Sequence, residues 1–448
     1  MEKFQVSLIR YKEVFTSVRK AVLDCNGFKH LKPGDRVFIK PNIVFWTKAC
    51  KFPKWGVITT SRVIEDIVVL LKEHGVTDIT IGEGIVSDPE DKDTPAHAFK
   101  TLGYEKLKDK YGAKFINIME RPFTRIRLEG GISLKYNQDI LDSDFLINLP
   151  VLKSHNQTVV SLGLKNLKGT IDIASRKKCH SPNPEKDLHY HIARIADPMP
   201  RSLTLIDGIY SLERGPAFDG RMRLTNLLIA SSDMLSADLV GAKVLGHDPA
   251  DVGHLVLAAE RLGRPLDLSD VKIIGEKIDD VSTYHEYDFE YVKNKDGEMP
   301  RALAKQGIEG IYYRKFDQTM CTYCSAFNGL ILTAIRQAWQ GEPWKGVEVL
   351  TGKSMEPSQG MDATLLIGKC MYTKNKDHPN IQKMFAARGC PPDPDDIIKA
   401  LHDAGIKVDP LLFSQIDTLP GFFMSRYEDN PDFDESFFQV SDQCKIGQ

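Results

Sequence analysis

Long apolar runs are missing from this chain. No stretch approaches the about 18 consecutive apolar residues that a membrane-spanning helix needs, and the N-terminal sequence MEKFQVSLIRYKEVF lacks the apolar core of a signal peptide. An excess of either charge is missing too, since 59 Lys and Arg face 61 Asp and Glu, for a formal net charge of −2 at pH 7. Such a balance gives no overall attraction to nucleic acid or to an anionic membrane. We therefore expect a cytoplasmic protein that binds neither.

Common nucleotide and cofactor fingerprints are also missing. The sequence has no P-loop and no C-x3-C-x2-C spacing, and the GEG turn at 82–84 lacks the third glycine of a dinucleotide-binding G-x-G-x-x-G motif. Cysteine is sparse, with 8 in 448 residues. In a long chain without an export signal, these cysteines are expected to be reduced thiols or metal ligands, not a disulfide framework.

The segments that are present predict an α/β fold. Strand-like apolar runs alternate with helical periodicity, as in the helix-like SRVIEDIVVLLKEHG with its terminal glycine. This alternation predicts a largely parallel sheet with flanking helices. The predicted strands are FQVSLI at 4–9, RVFIK at 36–40, DITIGEG at 78–84, DFLINLPVL at 144–152, SLTLIDGI at 202–209 and NLLIA at 226–230.

The length of the chain indicates more than one domain. We expect an α/β domain over 1–280 that carries a polar ligand site. A smaller α/β region over 300–448 follows, with the helix CSAFNGLILTAIRQAW, the short strands VEVLTG and ATLLIG, and the helix PDDIIKALHDAG. Four of the cysteines lie between Cys321 and Cys390 in this second region, so we expect it to bind a metal centre.

Polar residues follow the predicted strands of the first domain. Lys40 and Asn42 come at the end of RVFIK, Lys153 and His155 at the end of DFLINLPVL, and Asp207 at the end of SLTLI. In an open parallel sheet, ligands bind outside the carboxyl ends of the strands. The three strand ends therefore predict one polar site, although glycine-flanked polar loops also end strands that have no function.

Lysine dominates this predicted site, which favours an anionic ligand such as a carboxylate or a phosphate. The candidates for binding are Lys40, Asn42, Lys165, Asn166 and Lys168, and the candidates for catalysis are Lys153, His155, His180 and Asp207. The histidines could equally be ordinary hydrogen-bonded residues. Whether His180, His189 and His191 bind a second metal is left open by their spacing.

The motifs of the first domain resemble a known family. The order KPN, LPVLKSH, GLKNLKG, a downstream His, DGI with GPAFDG, and SSDMLSADLVGAKVLGHDP is similar to the family called domain of unknown function 362, over roughly residues 4–275. The resemblance implies an iron–sulfur protein of an anaerobic microbe, in a redox setting, with no assigned reaction. This chain departs from the pattern because it lacks the C-x-x-C-x-x-C-x-x-x-C-P run of ferredoxin-like modules.

The second region has its own cysteine pattern. Cys321 and Cys324 form a C-x-x-C pair at the start of a predicted helix, where free backbone N–H groups favour thiolates. Cys370 follows a predicted strand, and Cys390 lies in RGCPP. Four thiolates suit either zinc or an iron–sulfur cluster. A redox-active dithiol and unconnected thiols are further alternatives.

A local resemblance favours the cluster. RGCPPDPDDIIKAL is similar to the GCPPxPxxI segment of NiFe-hydrogenase small subunits and of the related subunit of respiratory complex I. In those proteins, the cysteine of the motif ligates a [4Fe–4S] cluster, which implies the same role for Cys390. The proline pair also stiffens the loop, which limits reorganisation when a cluster changes charge.

Together these features predict an iron–sulfur oxidoreductase or electron-transfer protein. One [4Fe–4S] cluster would bind to Cys321, Cys324, Cys370 and Cys390, and the lysine-rich site would bind a small anionic substrate. One alternative is a non-redox lyase or transferase with a structural cluster or zinc. Another is a non-enzymatic protein that delivers electrons to a partner such as a corrinoid protein or a metalloenzyme. A homodimer is compatible with the sequence.

Overall fold

The computed structural model of the protein describes residues 3–85, 91, 93–294 and 297–443. Cys444, which the sequence suggests is a free thiol near the tail, lies outside the described residues. The chain forms two compact units. The first comprises Met1–Ser175, His189–Tyr287 and Pro420–Gln448, and the second comprises Arg176–Leu188 and Asp288–Leu419.

Strands occur in both units. Those of the first unit are β1 (Phe4–Arg10), β2 (Arg36–Lys40), β3 (Asp78–Glu83), β4 (Lys114–Asn117), β5 (Phe123–Arg127), β6 (Ser133–Asn137), β7 (Phe145–Asn148), β8 (Val151–His155), β9 (Val159–Ser161), β10 (Arg201–Glu213), β11 (Arg221–Ser231) and β12 (Val271–Gly275). Those of the second unit are β13 (Tyr291–Asn294), β14 (Gly297–Pro300), β15 (Ile311–Tyr313), β16 (Val347–Leu350), β17 (Ala363–Ile367) and β18 (Met384–Ala387).

Helices connect these strands. In chain order they are α1 (Thr16–Asp24), α2 (Ser61–Glu73), α3 (Asp93–Thr101), α4 (Tyr104–Tyr111), α5 (Gln138–Leu141), α6 (Gly163–Asn166), α7 (Ile173–Cys179), α8 (Leu188–Ile192), α9 (Met234–Val244), α10 (Gly253–Leu262), α11 (Ile278–Val281), α12 (Arg301–Ala304), α13 (Thr322–Ala338), α14 (Lys369–Asn375), α15 (Pro394–Asp403), α16 (Leu411–Ser414) and α17 (Leu419–Phe422). None of the helices in the described part of the chain has the length and apolar character needed to cross a membrane.

The first unit is built on one large sheet. Its strand order is β12-β1-β11-β10-β7-β2-β3-β4, with β8 joined to β10 and β9 joined to β8. The pairs from β10 through β7, β2 and β3 to β4 are all parallel. The predicted α/β class with a largely parallel sheet is therefore confirmed.

The sheet departs from the predicted strands at two places. The segment predicted as one strand over 144–152 forms two strands, β7 and β8, with Leu149 and Pro150 between them. Pro150 has no N–H to donate to a neighbouring strand, which fits this interruption. The second departure is the antiparallel pairing of β11 with both β10 and β1, which the alternation of strands and helices did not predict.

The second unit has a smaller parallel sheet with the order β15-β16-β17-β18. Helix α13 connects β15 to β16, and α14 connects β17 to β18. The buried apolar faces of α13 and α15 pack with the strands into one core. This arrangement brings the carboxyl ends of the four strands to one edge of the sheet.

The unit boundaries differ from a simple division at residues 280–300. Residues 420–448 belong to the first unit, where Tyr427 and Phe438 are buried. The ring of Trp55 lies 5.3 Å from that of Phe433 and 6.5 Å from that of Phe438, measured between centroids. Lys54 also forms an ion pair with Glu435 at 2.8 Å. The C-terminal tail is thus a packed part of the first unit.

Removing one tail ring tests this packing. We expect Phe438→Ala to lower the free energy of unfolding by about 3–5 kcal/mol, because Phe438 is only 2% exposed and its removal leaves a cavity beside Trp55. Urea unfolding followed by circular dichroism measures the effect. The control is Phe422→Ala, which changes a ring of the same tail that is 73% exposed and should cost less than about 0.5 kcal/mol. Equal effects of the two substitutions would contradict the packed tail.

Candidate functional site

A buried ion pair lies where β2 and β3 end in the first unit. The ammonium of Lys40 lies 2.7 Å from Oε2 of Glu83, and the two side chains are 1% and 5% exposed. Lys40 also donates to the carbonyl of Pro41 at 2.5 Å. The carboxylate of Glu83 accepts from the backbone N–H groups of Ile43 at 2.8 Å and Gly84 at 2.7 Å. These hydrogen bonds offset the desolvation of the two charges.

Glycine 169 lies directly against this ion pair. A β-carbon at that position would be 2.8 Å from Nζ of Lys40 and 2.9 Å from Oε1 of Glu83. Only glycine therefore allows the GLKNLKG segment to approach the pair this closely without displacing it. The last glycine of the motif thus has a steric role beside Lys40.

Asparagine side chains connect the ends of β2 and β7. Asn166 donates to the carbonyl of Lys40 at 3.2 Å and to Oδ1 of Asn148 at 2.8 Å, and Asn148 donates to the carbonyl of Gly163 at 3.0 Å. Asn42 is held separately, by a hydrogen bond to the carbonyl of Val57 at 2.5 Å. The structure thus brings together Lys40 and Asn166, two of the candidate binding residues, and adds Asn148.

Lysine ammonium groups accumulate near the ion pair. Lys153 is buried, and its Nζ donates to the carbonyl of Val57 at 3.3 Å. Burial lowers the pKa of Lys153 to about 7; Glu83 opposes this shift and Lys40 adds to it. Burial also lowers the pKa of Lys165, and the charges of Lys168 and Lys153 lower it further. The charges of neighbouring lysines thus add to the effect of burial, which is the larger cause of both shifts.

The remaining predicted catalytic residues have defined partners. The carboxylate of Asp207 accepts from the backbone N–H groups of Thr60 at 2.7 Å and Ile209 at 3.1 Å, and burial raises its pKa. These bonds fix the start of α2, since Thr60 immediately precedes it. Nδ1 of His155 accepts from the N–H of Gln157 at 3.0 Å. His180 belongs to the second unit, where its Nδ1 lies 2.7 Å from the carbonyl of Gln318.

Sequence reasoning missed two acidic residues that shape the first unit's site. Glu83 ends β3 in the GEG turn, so the strand-end argument that selected Lys40 would have found it too. Asp238 accepts from the backbone N–H groups of Gly163 at 2.6 Å and Leu164 at 2.8 Å, which anchors the start of α6. Burial raises the pKa of Asp238 to about 7. No local pattern marked Asp238, because it lies within an apolar helix.

The predicted metal ligands lie on segments that follow strands of the second unit's sheet. Cys321 and Cys390 lie on loops, and Cys324 and Cys370 lie in the first turns of α13 and α14. Cys321 follows β15, Cys370 follows β17 by three positions, and Cys390 follows β18 by three positions. The last two loops are joined by a hydrogen bond from the N–H of Lys369 to the carbonyl of Gly389, at 2.9 Å. The second unit therefore collects these cysteines from separate elements of one small sheet.

The four thiols are close enough to interact. A β-carbon on Gly368 would be 3.0 Å from the sulfur of Cys324, which places the start of the Cys370 loop against α13. A hydrogen bond with Cys324 lowers the pKa of Cys321 to about 5, and the N–H groups of Tyr323 and Cys324 add to the shift. The same bond raises the pKa of Cys324, as do burial and the charges of Cys321, Cys370 and Cys390.

Thiolates are the type of ligand that zinc and [4Fe–4S] clusters share. Among the described residues, no three Cys, His, Asp or Glu side chains enclose a metal-ion position as they stand. Cys390 precedes the cis peptide bond to Pro391, and α15 begins at Pro394 with Asp393 as its N-terminal cap.

Comparison with known proteins identifies part of the first unit. Residues 37–243 match the family described as a domain of unknown function (DUF362). The predicted resemblance is confirmed for those residues. The matched segment contains Lys40, Glu83, Lys153, Lys165 and the other polar residues of the first unit's site. The four predicted metal ligands, Cys321, Cys324, Cys370 and Cys390, lie outside it.

Two similar proteins give further comparisons. The chain is 29% identical over 269 residues to the thylakoid-associated protein sll1697 of Synechocystis sp., a match covering 58% of this chain and 79% of that protein. It also aligns with the lactate racemase apoprotein of Thermoanaerobacterium thermosaccharolyticum at 14% identity and a TM-score of 0.35, over 95% of this chain and 81% of that one. A TM-score at that level does not establish a common fold.

The low pKa of Lys153 predicts a pH-dependent stability. Between about pH 7 and the usual lysine value of about 10, the unfolded chain binds a proton that the folded chain does not. The free energy of unfolding should therefore rise with pH across this window. Lys153→Met removes the titrating group. The free energy of unfolding of the variant minus that of the parent should therefore be greatest at pH 6 and smallest at pH 10, as measured by urea unfolding.

An exposed lysine provides the control for this measurement. Lys29→Met should leave the stability difference from the parent nearly constant between pH 6 and pH 10, since Lys29 is exposed. A Lys153→Met effect of the same size at both pH values would contradict the lowered pKa.

Proposed function

We propose that the protein is an iron–sulfur oxidoreductase or electron-transfer protein. Its second unit would bind one [4Fe–4S] cluster through Cys321, Cys324, Cys370 and Cys390. The observation that supports this most is that the segments after β15, β17 and β18 carry these thiols and approach one another. A β-carbon on Gly368 would lie 3.0 Å from the sulfur of Cys324, and the N–H of Lys369 donates to the carbonyl of Gly389 at 2.9 Å. Such a cluster supplies one-electron transfer.

The surrounding residues suit a thiolate-bound cofactor. Cys321 precedes α13, and its thiol pKa is lowered first by the hydrogen bond with Cys324 and then by the first backbone N–H groups of the helix, which favours the thiolate that binds metal. Gly389 has no side chain, which leaves space beside Cys390, and the two prolines after Cys390 make the backbone of that loop rigid. The similarity of RGCPP to a cluster-binding motif favours iron and sulfide over zinc, which the same thiols would otherwise accept.

The lysine-rich site of the first unit would bind a small anionic ligand. Lys153 and Lys165 would provide its ammonium groups, because an anion beside them would favour their protonated forms, whereas Lys40 is paired with Glu83. A carboxylate or phosphate would relieve the repulsion among these ammonium groups. A non-redox enzyme with a structural metal, and a protein that only delivers electrons to a partner, are the alternatives.

Cysteine substitution tests the cluster. We expect anaerobically purified or reconstituted protein to contain close to four iron and four sulfide per chain, as in the [4Fe–4S] cluster proposed, and to give an electron paramagnetic resonance signal after dithionite reduction. Cys370→Ser and Cys390→Ser should each lose most of this iron, because a thiolate ligand is removed. Cys50→Ser is the control, since Cys50 lies in the first unit, and it should keep the full content. Stoichiometric zinc with no iron would contradict the proposal.

Anion binding tests the first unit separately. We expect inorganic phosphate or citrate to raise the melting temperature of the protein, and Lys165→Met to weaken binding by about tenfold, because one charge-assisted hydrogen bond is lost. Isothermal titration calorimetry measures the affinity. Lys29→Met, at an exposed position, should leave the affinity unchanged. If neither anion binds, or if both variants bind like the parent, the site does not recognise these anions.

A further inference from the structure

One lysine touches the proposed cysteine ligands directly. Lys177 lies on α7, in the short segment Arg176–Leu188 that belongs to the second unit. Its ammonium donates a hydrogen bond to the sulfur of Cys390 at 3.4 Å. That distance is within the usual range for a hydrogen bond to sulfur, which is longer than one to oxygen.

The ammonium of Lys177 is held on a second side by an aromatic ring. Its Nζ lies 4.4 Å from the ring centroid of Tyr323, a cation–π contact. Tyr323 is the residue immediately before Cys324 in the C-x-x-C pair. Lys177 thus contacts both Cys390 and the segment that carries Cys321 and Cys324.

The backbone of this segment is also fixed within the second unit. The ammonium of Lys353 donates to the carbonyl of Lys177 at 2.8 Å and to the carbonyl of His180 at 2.5 Å. The ring of His180 is in turn bonded to the carbonyl of Gln318 at 2.7 Å. Tyr323 thus contacts the ammonium of Lys177 and Lys353 holds its backbone carbonyl, so both ends of the residue are positioned for the contact with Cys390.

We propose that Lys177 is a positioning residue that sets the reduction potential of the cluster. Hydrogen bonds and positive charge at a ligating sulfur stabilise the more negative, reduced state more than the oxidised state, which raises the potential. Lys177 supplies both at Cys390. The inference rests on the proposed cluster, and it assigns to the Arg176–Leu188 segment the role of delivering this charge.

The test is a redox titration monitored by electron paramagnetic resonance. Dithionite supplies one electron, which takes the cluster core from a charge of +2 to +1. In Lys177→Met, the midpoint potential should fall enough to change the ratio of reduced to oxidised protein at least tenfold at a fixed potential, which is about 59 mV for one electron. Lys177→Arg keeps the charge and the donors, so it should restore a potential near that of the parent.

A neighbouring lysine separates this contact from a general effect of charge. Lys369 is exposed, lies next to Cys370 and has the same charge. Lys369→Met should therefore shift the potential much less than Lys177→Met. Equal shifts in the two variants, or an unchanged potential in Lys177→Met at full iron content, would overturn the role of Lys177.

Two other outcomes would also refute the proposed role of Lys177. If the parent protein binds no cluster, the proposed function fails and the role of Lys177 fails with it. If the parent binds a cluster but Lys177→Met and Lys177→Gln remain folded without iron, Lys177 is required for assembly, and a role confined to tuning the potential is refuted. Iron and sulfide analysis, with circular dichroism of each variant, distinguishes these results.

Discussion

Parallel strand pairing is the constraint on which both units depend. Strands that run in the same direction end at the same edge of a sheet, so the loops that follow them meet even when they are far apart in sequence. In the first unit, this brings Lys40 at the end of β2 beside Asn148 at the end of β7. In the second unit, it collects the cysteine loops after β15, β17 and β18. Each candidate site is thus a product of strand direction.

Strand ends could be predicted from the sequence because their signals are local. RVFIK was predicted over 36–40 and forms β2 over the same residues, and the polar residues after it could be selected without any tertiary information. An apolar run, and the proline or glycine that ends it, can be recognised from residues that are adjacent in the sequence. The direction of β11 could not be read in this way, because its pairing with β1 and β10 depends on the sheet as a whole.

Side-chain pairs across the fold carried no such local signal. Glu83 meets Lys40 from 43 residues away, and Lys177 meets Cys390 from 213 residues away. A sequence shows that these charges exist, but not that they share a partner. The sequence therefore could not show that Lys40 is paired with Glu83, or that burial lowers the pKa of Lys165. The cysteine pattern was easier to interpret, because thiols are rare and their spacing stands out.

The return of the C-terminal tail to the first unit affects how the protein is made. During synthesis, the part of the first unit up to Tyr287 emerges from the ribosome long before residues 420–448, yet Trp55 packs against rings that those residues carry. The second unit is complete in the chain before that tail arrives. A gene fragment that stops near residue 287 would leave Trp55 and its neighbours uncovered, so separating the units for study calls for grafting the tail onto the shortened chain, not for simple truncation.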